Sequence, residues 1–199
     1  MTKYVDNFHS AVTRTQQLGL PIERDAPPSA PRFITQEIGE RLETRLSEVL
    51  STTKERLPES IALLCAQVNL KMVDHIEDIV GAAPMLTIGK VKTDGFGSAP
   101  NNNESLYSLA QTGNYHVWVT LPWFEIIDLT LMASLWKKKH LELGDVKIVS
   151  ANYTQKELDA WEPLYIGRAA TELMLCTRMY FSNAHVFDWA SWKQTAVLL

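Results

Sequence analysis

The segment NYHVWVTLPWFEIIDLTL, Asn114 to Leu131, limits the fold more than any other part of the chain. In HVWVTL, two-residue alternation puts His116, Trp118 and Thr120 on one face of a strand, and Val117, Val119 and Leu121 on the other. PWF supplies a turn. In EIIDLTL, Ile126, Asp128 and Thr130 then share a face, opposite Glu125, Ile127, Leu129 and Leu131. If Leu121 pairs with Glu125, Asp128 faces Trp118 and lies diagonal to His116, at a Cα separation of roughly 7–8 Å. A register two residues tighter sets His116 directly opposite Asp128. A one-residue slip sends them to different faces.

Helical patterns flank this hairpin. Residues 1–19 read as a weak helix ending at Gly19, followed by LPIERDAPPSAPRF, an extended proline-rich connector. In TQEIGERLETRLSEVLSTTKERL, Ile38, Leu42, Leu46 and Leu50 recur every fourth residue, giving a helix with one apolar stripe. Pro58 opens the next helix, PESIALLCAQVNLKMVDHIEDIV, which carries Ile61, Leu64, Val68, Met72, Ile76 and Ile79 on one face and stops at Gly81. APMLTIGKVKTD and DVKIVSANYT read as strands, and GFGSAPNNNES as a loop. Thr154 and Glu157 form a capping-box pattern at the start of TQKELDAW. GRAATELMLCTRMYFSNAHVFDWASWKQ is largely helical, with a break near Ser182–Asn183. Helices, then three or four strands, then helices again favour an α+β fold, with an antiparallel sheet packed against helices. The chain divides into an N-terminal segment, 1–57, holding the connector and the amphipathic helix, and an α+β domain over 58–199.

Composition narrows the function classes. The 199 residues are 46% hydrophobic and 21% charged, and the formal net charge is −4. Without a basic surplus or a recognition motif, nucleic acid is not an expected partner; WKKKH, Trp136 to His140, reads as a solvated edge. No uninterrupted apolar run is long enough to span a bilayer, and the N-terminus lacks an apolar signal core, so the expectation is no membrane and a cytoplasmic location. Non-classical secretion as an effector stays open. Two cysteines, Cys65 and Cys176, are too few for a disulfide framework.

A histidine beside an aspartate has a definite chemical use. The carboxylate fixes the imidazole tautomer and stabilises the imidazolium, leaving the second ring nitrogen for a nucleophile. Cys65 is the candidate nucleophile, because a thiol near histidine loses its proton readily and its thiolate attacks acyl carbons. The order of these residues resembles the transglutaminase-like branch of papain-like cysteine enzymes. The matching residues are LCAQVN (Cys65, Asn69), HVW (His116, Trp118) and IIDLT (Asp128, Thr130), over about residues 58–131. The resemblance implies a papain/transglutaminase-like core with added N- and C-terminal helices. It also implies Cys65 as nucleophile, His116 as general base and acid, Asp128 as the orienting residue, and Trp118 and Asn69 as candidates for substrate binding. The reaction would be acyl transfer, or amide or peptide hydrolysis, through a thioester, on a protein, a peptide or a small amide, with no metal and no cofactor.

The helix pattern allows a plainer reading. Cys65 follows IALL in phase with Ile61, Leu64, Val68 and Met72, where a core residue would sit. Trp118 suits a core or a site wall, and Asn69 suits a helix-face amide. The alternative function is a non-catalytic interaction protein on an α+β scaffold, docking a partner through the Leu42–Leu50 stripe. A second set, Cys176, His185 and Asp188, lies in a segment that reads as core. Asp74, His75 and Asp78 read as the polar face of a helix and not as a zinc site.

Overall fold

The computed structural model describes residues 3–22, 33–92 and 104–182. Alternation in the hairpin sets the centre of a four-stranded antiparallel sheet. Its strands are β1 (Met85–Val91), β2 (His116–Thr120), β3 (Ile126–Ile127) and β4 (Trp161–Ile166), in the order β3-β2-β1-β4. Among the described residues there are eight α-helices. Four precede the sheet: α1 (Lys3–Gln17), α2 (Gln36–Val49), α3 (Leu57–Ile61) and α4 (Cys65–Val80). The others are α5 (Leu106–Thr112), α6 (Leu131–Lys137), α7 (Gln155–Leu158) and α8 (Arg168–Ser182). The architecture is α+β, with helices on both faces of an antiparallel sheet.

The hairpin takes the first of the two permitted registers. Val119 pairs with Ile127 and Thr120 with Ile126, while Leu121 N–H donates to Glu125 O at 2.8 Å. The two faces of β2 then enter separate cores. Val117, Val119 and Leu121 join Leu42, Leu46, Val68, Met72 and Ile76 beneath α2 and α4. Trp118 joins Tyr4, Phe8, Ala11, Trp161 and Ile166 beneath α1.

Both N-terminal helices are packed onto this body. Leu42 and Leu46 are fully buried, so this part of the stripe, which the alternative reading assigned to a partner, is covered from within the chain. α1 packs on β4 and seals its backbone: Thr15 Oγ1 accepts Ile166 N–H at 2.9 Å, and Arg14 donates to Pro163 O at 3.4 Å. Tyr4 closes a buried polar cluster. Its hydroxyl accepts from Trp118 Nε1 at 2.9 Å and shares a 2.7 Å bond with Thr120 Oγ1, which in turn bonds Thr87 Oγ1 at 2.7 Å.

Three expectations are corrected. The helix expected from Pro58 to Val80 is two helices, because the chain turns through Ala62–Leu64 with Leu63 at φ +64°. EIIDLTL pairs only at Ile126–Ile127, since Asp128 turns the chain into α6. DVKIVSANYT forms one bridge, Ser150 to Asp128, in place of a strand. The fourth strand is instead Trp161–Ile166, where Pro163 and burial along the whole length hide any alternation; a proline is tolerated there because β4 is a sheet edge. The Thr154–Glu157 capping box forms, with Thr154 N–H on Glu157 Oε2 at 2.7 Å. The proline-rich connector, most of the glycine–asparagine loop, the Ser182–Asn183 break, His185 and Asp188 lie wholly or partly outside the described residues.

Candidate functional site

Three separate elements bring Cys65, His116 and Asp128 together. Cys65 is the first residue of α4, and the first bond of that helix runs from Val68 N–H to Leu64 O at 2.9 Å. The preceding N–H groups therefore point out of the helix end, where the dipole favours negative charge. His116 opens β2 and Asp128 follows β3, one pleat away on the same face.

Asp128 is anchored at both carboxylate oxygens. Oδ1 accepts the N–H groups of Thr130 and Leu131 at 2.7 Å each, which starts α6. Oδ2 meets His116 Nε2 in a buried ion pair. Nε2 is thereby engaged, and Cys65 also acts on the same imidazole. Burial alone would lower the His116 pKa. The Asp128 charge and hydrogen bond, with the bond and charge of Cys65 added, outweigh burial and push it up to about 10. At neutral pH the ring is an imidazolium paired with Asp128.

Aromatic residues hold this ring. Trp118 stacks beside it with centroids 6.2 Å apart, and Trp161 lies 6.0 Å away. Gly89, opposite His116 on β1, leaves room for Trp118: a Cβ there would lie 2.7 Å from the indole and 2.0 Å from Glu162 O. Tyr115 sits on the thiol side. Burial first, then the charge of Cys65, pushes its hydroxyl up to about 12 against the opposing effect of Arg178. His116 lines a small cavity of about 50 Å³ with Lys90, Val91, Gly113, Asn114, Tyr115 and Lys138. A wider groove of about 1140 Å³ runs between α2 and residues 146–153; it holds neither Cys65 nor His116, and Trp161 stands between it and the ring.

The two residues marked for substrate contact are placed differently. Trp118 is fully buried, packed on Trp161 and bonded to Tyr4, so it supports the imidazole from behind. Asn69 is also fully buried. Its Nδ2 donates to Cys65 O and to Val117 O, both at 2.9 Å, which ties the first turn of α4 to the strand carrying His116. Cys176 is exposed on α8. Among the described residues, no three or more His, Cys, Asp and Glu side chains are gathered as a metal set, and no helix is long and apolar enough to cross a membrane.

Sequence reasoning missed Trp161, Tyr115 and Ser134. Tyr115 was legible only as an aromatic beside His116, and Trp161 lay at the end of TQKELDAW, which reads as the start of a helix but gives way to β4. Ser134 carries no local signal, because its partner is 71 residues away. Comparison with protein-family models, with curated proteins and with solved structures returns no match.

Proposed function

We propose that this chain is a thiol-dependent acyl transferase or amide hydrolase, working as the transglutaminase-like, papain-like enzymes it resembles do. One observation carries the reading: a buried imidazole is paired with the Asp128 carboxylate, and a cysteine that opens a helix adds its charge to the same ring. The Cys65 thiolate attacks the carbonyl carbon of a carboxamide or peptide bond, and the resulting oxyanion lies at the positive end of α4. As the C–N bond breaks, the His116 imidazolium gives its proton to the departing amine, leaving a thioester and a neutral ring. Water or an acceptor amine then attacks the thioester while His116 takes its proton. The thiolate departs, and the acid or the new amide is released. Asp128 stays ionised and holds the ring throughout. The substrates that suit this chemistry are a glutamine side chain, a peptide or a small amide.

The test is iodoacetamide alkylation read by mass spectrometry at pH 5–9, in a Cys176→Ser background so that the exposed thiol does not compete. An ordinary thiol, with a pKa of about 8.5, loses reactivity about tenfold for each pH unit below that value. Cys65 is expected to react almost as fast at pH 6 as at pH 8, and His116→Ala to abolish that plateau. A profile that falls like an ordinary thiol's, unchanged by His116→Ala, rules the proposal out.

A further inference from the structure

The apolar phasing of Ile61, Leu64, Val68 and Met72 would suit one unbroken helix through Cys65. In that helix Leu63 N–H would bond Glu59 O, and Cys65 N–H would bond Ile61 O. The chain does neither. Leu63 N–H donates to Ser134 Oγ at 3.0 Å, and Leu64 N–H reaches back only to Ile61 O at 3.1 Å. Leu63 itself sits at φ +64°, a costly conformation for a leucine, with its side chain 53% exposed. No local residue explains this turn: there is no glycine, asparagine or proline between Ser60 and Ala66. The hydroxyl that catches Leu63 comes from α6. Ser134 is buried there, donates to Thr130 O at 2.7 Å, and belongs to the helix that Asp128 starts through Thr130 and Leu131.

Resting on the thiol reading above, we propose that Ser134 is a positioning residue that keeps the helix broken before Cys65. It passes the placement of Asp128 on to the nucleophile. The chain of contacts runs from the Asp128 carboxylate to Thr130, through its carbonyl to the Ser134 hydroxyl, and from that oxygen to Leu63 N–H. Without the acceptor, the Leu63 amide loses its partner and the left-handed leucine loses its reason to persist. The helical ladder can then run on from α3, which consumes the Cys65 N–H and moves the thiol from a helix end to a helix interior. Ser134 touches no reacting atom; it acts through the turn.

The experiment compares four full-length proteins in the Cys176→Ser background: unaltered at 134, Ser134→Ala, Ser134→Thr, and Ser134→Ala combined with Leu63→Gly. Two readouts are taken, the pH profile of Cys65 alkylation by iodoacetamide and amide hydrogen exchange over residues 59–66. Ser134→Ala is expected to slow alkylation at pH 6 about tenfold, the scale on which a helix N-terminus lowers a thiol pKa, and to slow exchange at Leu63–Cys65 as the helix closes. Ser134→Thr keeps the hydroxyl and stays within about threefold of the parent. Leu63→Gly restores reactivity in the alanine background, because glycine holds the left-handed turn without help. The proposal is overturned if Ser134→Ala leaves both readouts unchanged, or if the glycine rescue fails in a folded protein. If the parent itself shows an ordinary thiol profile, the catalytic reading fails, and hydrogen exchange still decides whether Ser134 holds the turn.

Discussion

Asp128→Asn separates charge from shape in the candidate site. The asparagine Oδ1 can keep the N–H groups of Thr130 and Leu131, so the start of α6 survives and Nδ2 faces His116 Nε2. A donor in that place opposes the imidazolium, and burial then drives the ring neutral. In the unaltered protein the folded-state pKa of His116 is raised to about 10, above the unfolded value near 6.5. Its contribution to stability is therefore full below pH 6.5 and is lost as pH rises through 10. The shift corresponds to about 5 kcal/mol at about 1.4 kcal/mol per pH unit, close to the 3–5 kcal/mol expected when a buried pair loses one partner. Urea unfolding at pH 6.5, 8 and 10, followed by tryptophan fluorescence, measures it. The stability gap between the two proteins should be largest at pH 6.5 and close toward zero by pH 10. A gap that is constant, or that widens with pH, refutes the buried ion pair as the reason His116 is charged.

Three further outcomes follow from packing. Gly89→Ala places a methyl 2.0 Å from the Glu162 carbonyl and 2.7 Å from the Trp118 ring, so thermal unfolding should show a loss of about 1–3 kcal/mol. Tyr4→Phe strands the Trp118 indole N–H in a sealed core and leaves the Thr120 hydroxyl with Thr87 alone. Chemical denaturation should register a cost of about 1–3 kcal/mol. Leu46→Ala should destabilise the whole domain by about 2–5 kcal/mol, whereas a stripe reserved for a partner would leave the midpoint of unfolding in place.

What the sequence makes legible here is what local periodicity controls. Alternation in HVWVTL with a turn at PWF allowed Asp128 to share the His116 face in two of the registers considered, the pairing of Val119 with Ile127 chose one of them, and Thr154 with Glu157 marked a helix start. The break before Cys65 was not legible, because its cause is a hydroxyl on a distant helix and the local pattern points the other way. The strand at Trp161–Ile166 was hidden for a different reason: residues buried on both faces show no alternation, and Pro163 reads as a breaker unless the strand is known to lie at an edge. Asn69 looked like a surface amide of the cysteine helix. Its two bonds, to the Cys65 and Val117 carbonyls, depend on the strand that happens to pass beneath it.

The bond from Ile166 N–H to Thr15 Oγ1 joins residues 151 positions apart. On a ribosome, α1 must therefore wait for nearly all of the described residues that follow it before it can dock. Until then, one side of β4 has no cover and the indoles of Trp118 and Trp161 face water, as an aggregation-prone sheet edge does. Such long-range closure slows folding, which makes the interval before α1 returns the stage at which this protein is most exposed to misassociation.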